Sequence, residues 1–207
     1  LLLSNLVNGT ACSIQIKAIN EKGSSVASNA ISATSASTPD APTITSITAG
    51  NGTASVAFIA NATNGAAISG YKYSIDSAAW VAVATTNPIA LSGLTNSQTY
   101  SLRILAVDAK GDGSASNAMS VTPAAAPTAP SVSSVTAGNN ALSVNFSAGA
   151  SNGSAIKNYK YSTDNGTSWT MRTPASVASP LSVTSKISNG SSYNVILKAI
   201  NDKGVSS

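Results

Sequence analysis

The chain has 207 residues, 43% hydrophobic and 9% charged, with a formal net charge of +4; this is too apolar for a charge-swollen disordered chain. The basic residues are scattered, so no patch suits nucleic acid, and no apolar run nears the ~20 residues of a membrane span. With no histidine and a single cysteine, Cys12, the chain has no intrachain disulfide, thiolate–imidazole zinc site or histidine general base, so neither cofactor nor metal is expected and the enzyme classes are disfavoured.

Taken in chain order, residues 1–38 supply only the last strands of a folded unit, Cys12–Ala18 among them. Thr38-Pro39-Asp40-Ala41-Pro42 then reads as a stiff linker, because proline restricts φ. Seven strands are predicted next, near 43–48, 53–60, 68–76, 79–84, 88–93, 98–107 and 114–122. Their buried faces carry Val56 and Phe58; Tyr71, Tyr73 and Ile75; and Tyr100, Leu102, Ile104 and Ala106. Asn51-Gly52, Asn64-Gly65 and Asp112-Gly113 supply turns between them. A second linker runs from Pro123 to Pro130, and the pattern then restarts.

The restart is a repeat. An 88-residue shift places Pro39–Gly50 on Pro127–Gly138 and Ile68–Ser74 on Ile156–Ser162; after a five-residue insertion, Tyr100–Ala106 falls on Tyr193–Ala199. The same shift places Cys12–Ala18 on Tyr100–Ala106. Repetition at this period predicts concatenated domains: the end of one repeat at 1–38, a complete repeat at 39–126, and a third at 127–207 that stops before its last strand. So short a first piece seldom folds alone, and an open last edge calls for a cover. An excerpt from a longer repetitive protein accounts for both. Head-to-tail self-assembly by strand complementation is the alternative, and duplication of the sixth strand weighs against it.

Seven short strands in about ninety residues suit a two-sheet antiparallel sandwich. The Pro-rich start Ala41-Pro42, the pattern Ile68-Ser69-Gly70-Tyr71, and Leu91-Ser92-Gly93-Leu94 followed by Tyr100, Ala106 and Gly111 resemble fibronectin type III repeats. The resemblance implies an all-β chain of tandem fibronectin type III-like antiparallel β-sandwiches. It also implies a tyrosine corner at Tyr100 and Tyr193, whose hydroxyls would bond backbone upstream. The chain departs from the family pattern in two places: Phe58 and Phe146 stand where tryptophan is usual, and Cys12 stands at the first corner position, where a thiol is too short for that bond.

The candidate sites are few. Ser162-Thr163-Asp164-Asn165-Gly166-Thr167-Ser168-Trp169 is similar to the Asp-box of sialidase-like β-propellers, which implies a hairpin-stabilising device. Trp80 and Trp169 are candidate ligand-stacking aromatics. Lys110-Gly111-Asp112 occupies the loop where some fibronectin repeats carry an integrin-binding Arg-Gly-Asp, although Lys22-Gly23 and Lys203-Gly204 show that Lys-Gly recurs as a turn feature. Asp108 and Asp112 are too few for calcium, which takes six to eight oxygens, unless a neighbouring repeat contributes more. The carboxylates as a group are expected to be solvated turn and linker residues. The asparagine sequons are close in number to chance, so glycosylation is permitted without being indicated.

The sequence therefore points to a non-catalytic structural or adhesive section of an extracellular or cell-surface protein, such as an adhesin, a surface-layer or filament component, or a virion appendage. Its expected partners are neighbouring repeats, a protein or glycan on another surface, or further copies of itself. The alternative is a set of accessory repeats in a secreted carbohydrate-active enzyme, or a carbohydrate- or protein-binding module.

Overall fold

The computed structural model describes residues 2–207, and every regular element among them is a β-strand. In the first segment, β1 (Ala11–Ile14) pairs antiparallel with β4 (Ile31–Thr34), with Cys12 opposite Ala33. Between them lies the short hairpin of β2 (Ile19–Asn20) and β3 (Gly23–Ser24).

The middle repeat is built from β5 (Thr43–Ala49), β6 (Ala54–Ile59), β7 (Ile68–Ile75), β8 (Val81–Val83), β9 (Ile89–Leu91), β10 (Tyr100–Asp108), β11 (Gly111–Asp112) and β12 (Met119–Val121). One sheet has the order β5-β6-β9; the other runs β11-β10-β7-β8, with β12 also on β10. The predicted alternation buries Val56, Phe58, Leu102 and Ile104, each at most 4% exposed. On β7 it holds for Tyr71, but Tyr73 and Ile75 are only half-buried and Ser74 between them is buried, its Oγ–H bonded to Ala78 O at 2.7 Å. β7 and β10 align Tyr73 with Ile104 and Tyr71 with Ala106, then slip at a bulge between Val107 and Asp108. A bulge bends its strand and re-aims the side chain that follows, here Asp108.

The last repeat copies this plan. β13 (Ser131–Gly138), β14 (Ala141–Ser147) and β17 (Leu181–Val183) make one sheet; β15 (Asn158–Ser162), β16 (Thr170–Met171), β18 (Ile196–Asn201) and β19 (Gly204–Val205) make the other, in the order β16-β15-β18-β19. Tyr159, Leu181, Val183 and Ala199 are fully buried in its core. The ring of Phe58 meets Tyr71 edge-on at 4.6 Å and 65°, and Phe146 meets Tyr159 at 4.6 Å and 66°. Phenylalanine thus anchors both cores at the place where the resemblance leads one to expect tryptophan, in the edge-to-face geometry that aromatic quadrupoles favour. These paired sheets and their strand orders form fibronectin type III-like β-sandwiches.

The predicted strand at 114–122 is broken, and a serine explains the break. Ser116 N–H donates to Ile104 O at 2.8 Å, while its own Oγ accepts from Ile104 N–H at 3.1 Å. One residue therefore supplies both partners that a regular ladder would draw from the main chain. Ser28 does the same for Ile16 in the first segment, at 2.9 and 3.0 Å.

The chain divides into two compact units. One runs to Thr48 and adds Ser55–Ala90 and Tyr100–Val121; the other comprises Ala49–Ala54, Leu91–Thr99 and Thr122–Ser207. The division passes through the middle repeat, so each linker lies wholly inside one unit together with the loops that hold it.

Candidate functional site

The Asp-box segment folds as a hairpin tip. Asn165 and Gly166 take positive φ of 57° and 88°, a conformation that asparagine and glycine reach at low cost. The Asp164 carboxylate accepts from Ser162 Oγ–H at 2.6 Å, Ser168 N–H at 2.9 Å and Ser168 Oγ–H at 2.6 Å. Those bonds favour the charged form and hold Asp164 well below the usual carboxylate range, Ser162 contributing most. Lys160 Nζ and Lys198 Nζ stand 5.2 and 5.1 Å from the centre of the Trp169 ring, so cation–π contacts occupy this candidate stacking residue. In the middle repeat a two-residue turn at Asp76-Ser77 (φ 51° and 64°) replaces the Asp-box, Asp76 Oδ1 accepting from Ser101 N–H at 2.7 Å. Trp80 follows that turn and is 38% exposed.

Of Lys110, Gly111 and Asp112, only Lys110 lies in the turn between β10 and β11; Gly111 and Asp112 form β11 itself. Asp108 Oδ1 caps the turn by accepting from Lys110 N–H at 2.7 Å and Gly111 N–H at 3.2 Å. The Asp112 carboxylate is ion-paired with Lys72 Nζ at 2.7 Å, so the charge that distinguishes this loop from its counterparts is directed back onto β7. Tyr193 makes the implied corner, its hydroxyl oxygen accepting from Ser188 N–H at 2.7 Å. At the matching place Cys12 donates its thiol hydrogen to Ala33 O at 3.2 Å, across the β1–β4 pair.

The second linker is hydrogen-bonded on both sides. Pro123, Ala124 and Pro127 are buried. Ala124 N–H donates to Gly50 O at 3.0 Å, and Pro123 O accepts from Ser97 N–H at 3.0 Å. On the other side, Ala125 N–H donates to Asn152 O at 2.9 Å and Thr128 N–H to Ala150 O at 3.0 Å. The Asn152 amide donates to Ala126 O at 2.8 Å. Asn152-Gly153 is the counterpart of the Asn64-Gly65 turn read from the sequence, and Gly153 is confined by the linker: a Cβ there would lie 2.5 Å from Pro123 O. Proline restricts this connection as predicted, but hydrogen bonds from both sides are what fasten it.

A buried asparagine locks this linker to β18. Asn201 is 6% exposed; its Nδ2 donates to Ala125 O at 2.9 Å, Ser151 O at 3.1 Å and Ser154 O at 3.0 Å. Its Oδ1 accepts from Lys203 N–H at 2.8 Å and Gly204 N–H at 3.1 Å. In the middle repeat this position is Asp108. Contrary to the expectation that the carboxylates are solvated, Asp108 is only 5% exposed. The turn that it caps lies against the first linker, a Cβ on Gly111 falling 3.9 Å from Thr38 Cγ2 and one on Gly113 falling against Pro39 O. The chain does carry a signal for this site in its repeat register, where the position two before each Lys-Gly is Asn20, Asp108 and Asn201 in turn.

No protein-family model and no curated protein matches the chain. Among solved structures, the FN1–FN3 domains of chicken CNTN1 are similar at 16% identity over 93% of this chain and 73% of that chain, with a TM-score of 0.42. Sheet order and core packing are what identify the fold.

Proposed function

We propose that the chain is a non-catalytic structural section of an extracellular or cell-surface protein, in which β-sandwich repeats act as spacers and contact surfaces. One observation carries this reading: the second linker is buried and hydrogen-bonded on both sides, by Gly50 and Ser97 before it and by Ala150, Asn152 and Asn201 after it. A net value of about 0.5–1.5 kcal/mol per bond makes the summed restraint many times thermal energy. The connection is therefore fastened to the loops that flank it, as a spacer requires. The composition agrees, since a chain without histidine and with 9% charged residues offers few groups for acid–base work.

Pulsed dipolar spectroscopy tests the stiffness on which a spacer depends. Spin labels at Ser92→Cys and Ser185→Cys, both exposed positions, are introduced in a Cys12→Ser background. A narrow distance distribution supports the proposal. A broad one that Gly-Ser replacement of residues 124–126 does not widen further sinks it. Protease shaving of intact cells that express the parent protein tests the location, and release of no fragment from these repeats would refute a surface setting.

A further inference from the structure

Asp108 and Asn201 sit in matching frames. Ser37 N–H donates to Asn64 O at 3.1 Å as Ala125 N–H does to Asn152 O at 2.9 Å. Asp40 N–H meets Ala62 O at 2.9 Å as Thr128 N–H meets Ala150 O at 3.0 Å. The Asn64 amide bonds Thr38 O at 3.0 Å, its counterpart Asn152 bonds Ala126 O at 2.8 Å, and both 108 and 201 cap their own Lys-Gly turn through Oδ1. The three acceptors of the Asn201 amide therefore have counterparts in Ser37 O, Thr63 O and Ala66 O.

The decisive difference is one atom. Where Asn201 has a nitrogen with two hydrogens, Asp108 has Oδ2, which is buried and has no hydrogen-bond partner. In a frame that matches that of Asn201 this oxygen would face carbonyl oxygens, which is repulsive, and an unpaired buried charge is strongly destabilising. Ser35 Oγ, directly after β4 and ahead of the linker, is also buried without a partner. Ser35 lies at the same turn, since a Cβ on Gly65 would come within 2.6 Å of its carbonyl oxygen.

We propose that Asp108 Oδ2 and the main-chain oxygens of Ser37, Thr63 and Ala66 form a Ca²⁺ site that fastens the first linker as the Asn201 amide fastens the second. The donor set is all oxygen, which suits a hard cation and excludes metals that need imidazole or thiolate. Spacing favours calcium as well: two oxygens at about 2.4 Å from one ion, subtending about 75°, are about 3 Å apart, close to the 2.9–3.1 Å separations around Asn201 Nδ2. Four protein oxygens leave two to four places for water, and the flexible coordination of calcium tolerates a donor set placed by a turn and a linker better than the strict octahedron of magnesium does. Asp112 does not take part, since Lys72 holds it. With one carboxylate, the affinity belongs at the weak end of calcium modules, a Kd of about 10⁻⁴–10⁻³ M.

The test is a calcium titration of the full chain, followed through the ¹⁵N–¹H shifts of Lys110 and Gly111, whose amides bond Asp108 directly. Saturable shifts below about 10 mM CaCl₂ are expected in the native chain and in Asp112→Asn, and none in Asp108→Asn. That variant restores the amide found at Asn201, so it should fold and should melt without calcium at or above the temperature of the calcium-loaded native chain. At ten times Kd, linkage moves the unfolding equilibrium of the native chain about 11-fold. The site is overturned if the two amides ignore calcium, if Asp108→Asn responds equally, or if magnesium acts as strongly as calcium.

Discussion

Replacing Asn201 by aspartate would put into the second linker the chemistry that the first already has. The substitution keeps Oδ1, which caps Lys203 and Gly204, and replaces the Nδ2 that donates at 2.9, 3.1 and 3.0 Å to Ala125, Ser151 and Ser154 with an acceptor. The two N–H donors that these three acceptors share, at about 1 kcal/mol each, are lost, and the new carboxylate, at a position 6% exposed, has no donor on that side. Breaking a buried charged arrangement in this way costs about 3–5 kcal/mol, a large share of the roughly 5–15 kcal/mol that typically separates folded from unfolded domains. Urea denaturation in the presence of a chelator, read by Trp169 fluorescence in a Trp80→Phe background, measures the loss. Asn201→Ala removes the same donors without adding charge, and with them the Oδ1 that caps Lys203 and Gly204, so it should fall nearer about 3 kcal/mol. A loss under about 1 kcal/mol for Asn201→Asp would show that these bonds do not hold the linker.

Two further outcomes follow from groups described above. Tyr159 is fully buried, its hydroxyl has no partner, and burial raises its pKa; Tyr159→Phe removes only the unsatisfied group, so denaturation should find the variant within about 1 kcal/mol of the native chain or more stable. The Asp164 hairpin should resist acid. Its carboxyl lies far below its ordinary 3.8, so the stabilisation is complete above that pH and disappears only as pH falls through the depressed folded value. The Ser168 amide shift should therefore stay constant from neutral pH to about pH 4 and move only in stronger acid, whereas in Ser168→Ala the transition should move up. A native-chain transition centred near pH 4 would contradict the bonding described for Asp164.

Much of the sandwich was legible in the chain because strand burial is written with a period of two. Val56 with Phe58, Tyr71 with Tyr73, and Leu102 with Ile104 each alternate within a window of a few residues, and the predicted strand positions lie within about two residues of most observed ones. The hairpin at Ser162–Trp169 was legible for the same reason, its donors, acceptor and positive-φ residues being neighbours in sequence. The broken strand after β11 was not, because Ser116 looks like any other polar residue in an alternating run until its hydroxyl is seen to accept from Ile104. Nor was the fate of the candidate residues: nothing local says that Lys72 is within reach of Asp112, or that Lys160 and Lys198 flank Trp169.

By itself, then, the order of residues determined where the strands run, which of their side chains point inward, and that the unit recurs. Those outcomes depend on periodicity, and periodicity is local. Only the tertiary structure decided that the first linker meets the Asn64-Gly65 turn and that Asp108, at the end of β10, is buried, because those outcomes bring together residues tens of positions apart. Whether a carboxylate is solvated or enclosed depends on what the rest of the chain places over it, and dehydration is what turns an ordinary turn residue into a candidate ligand.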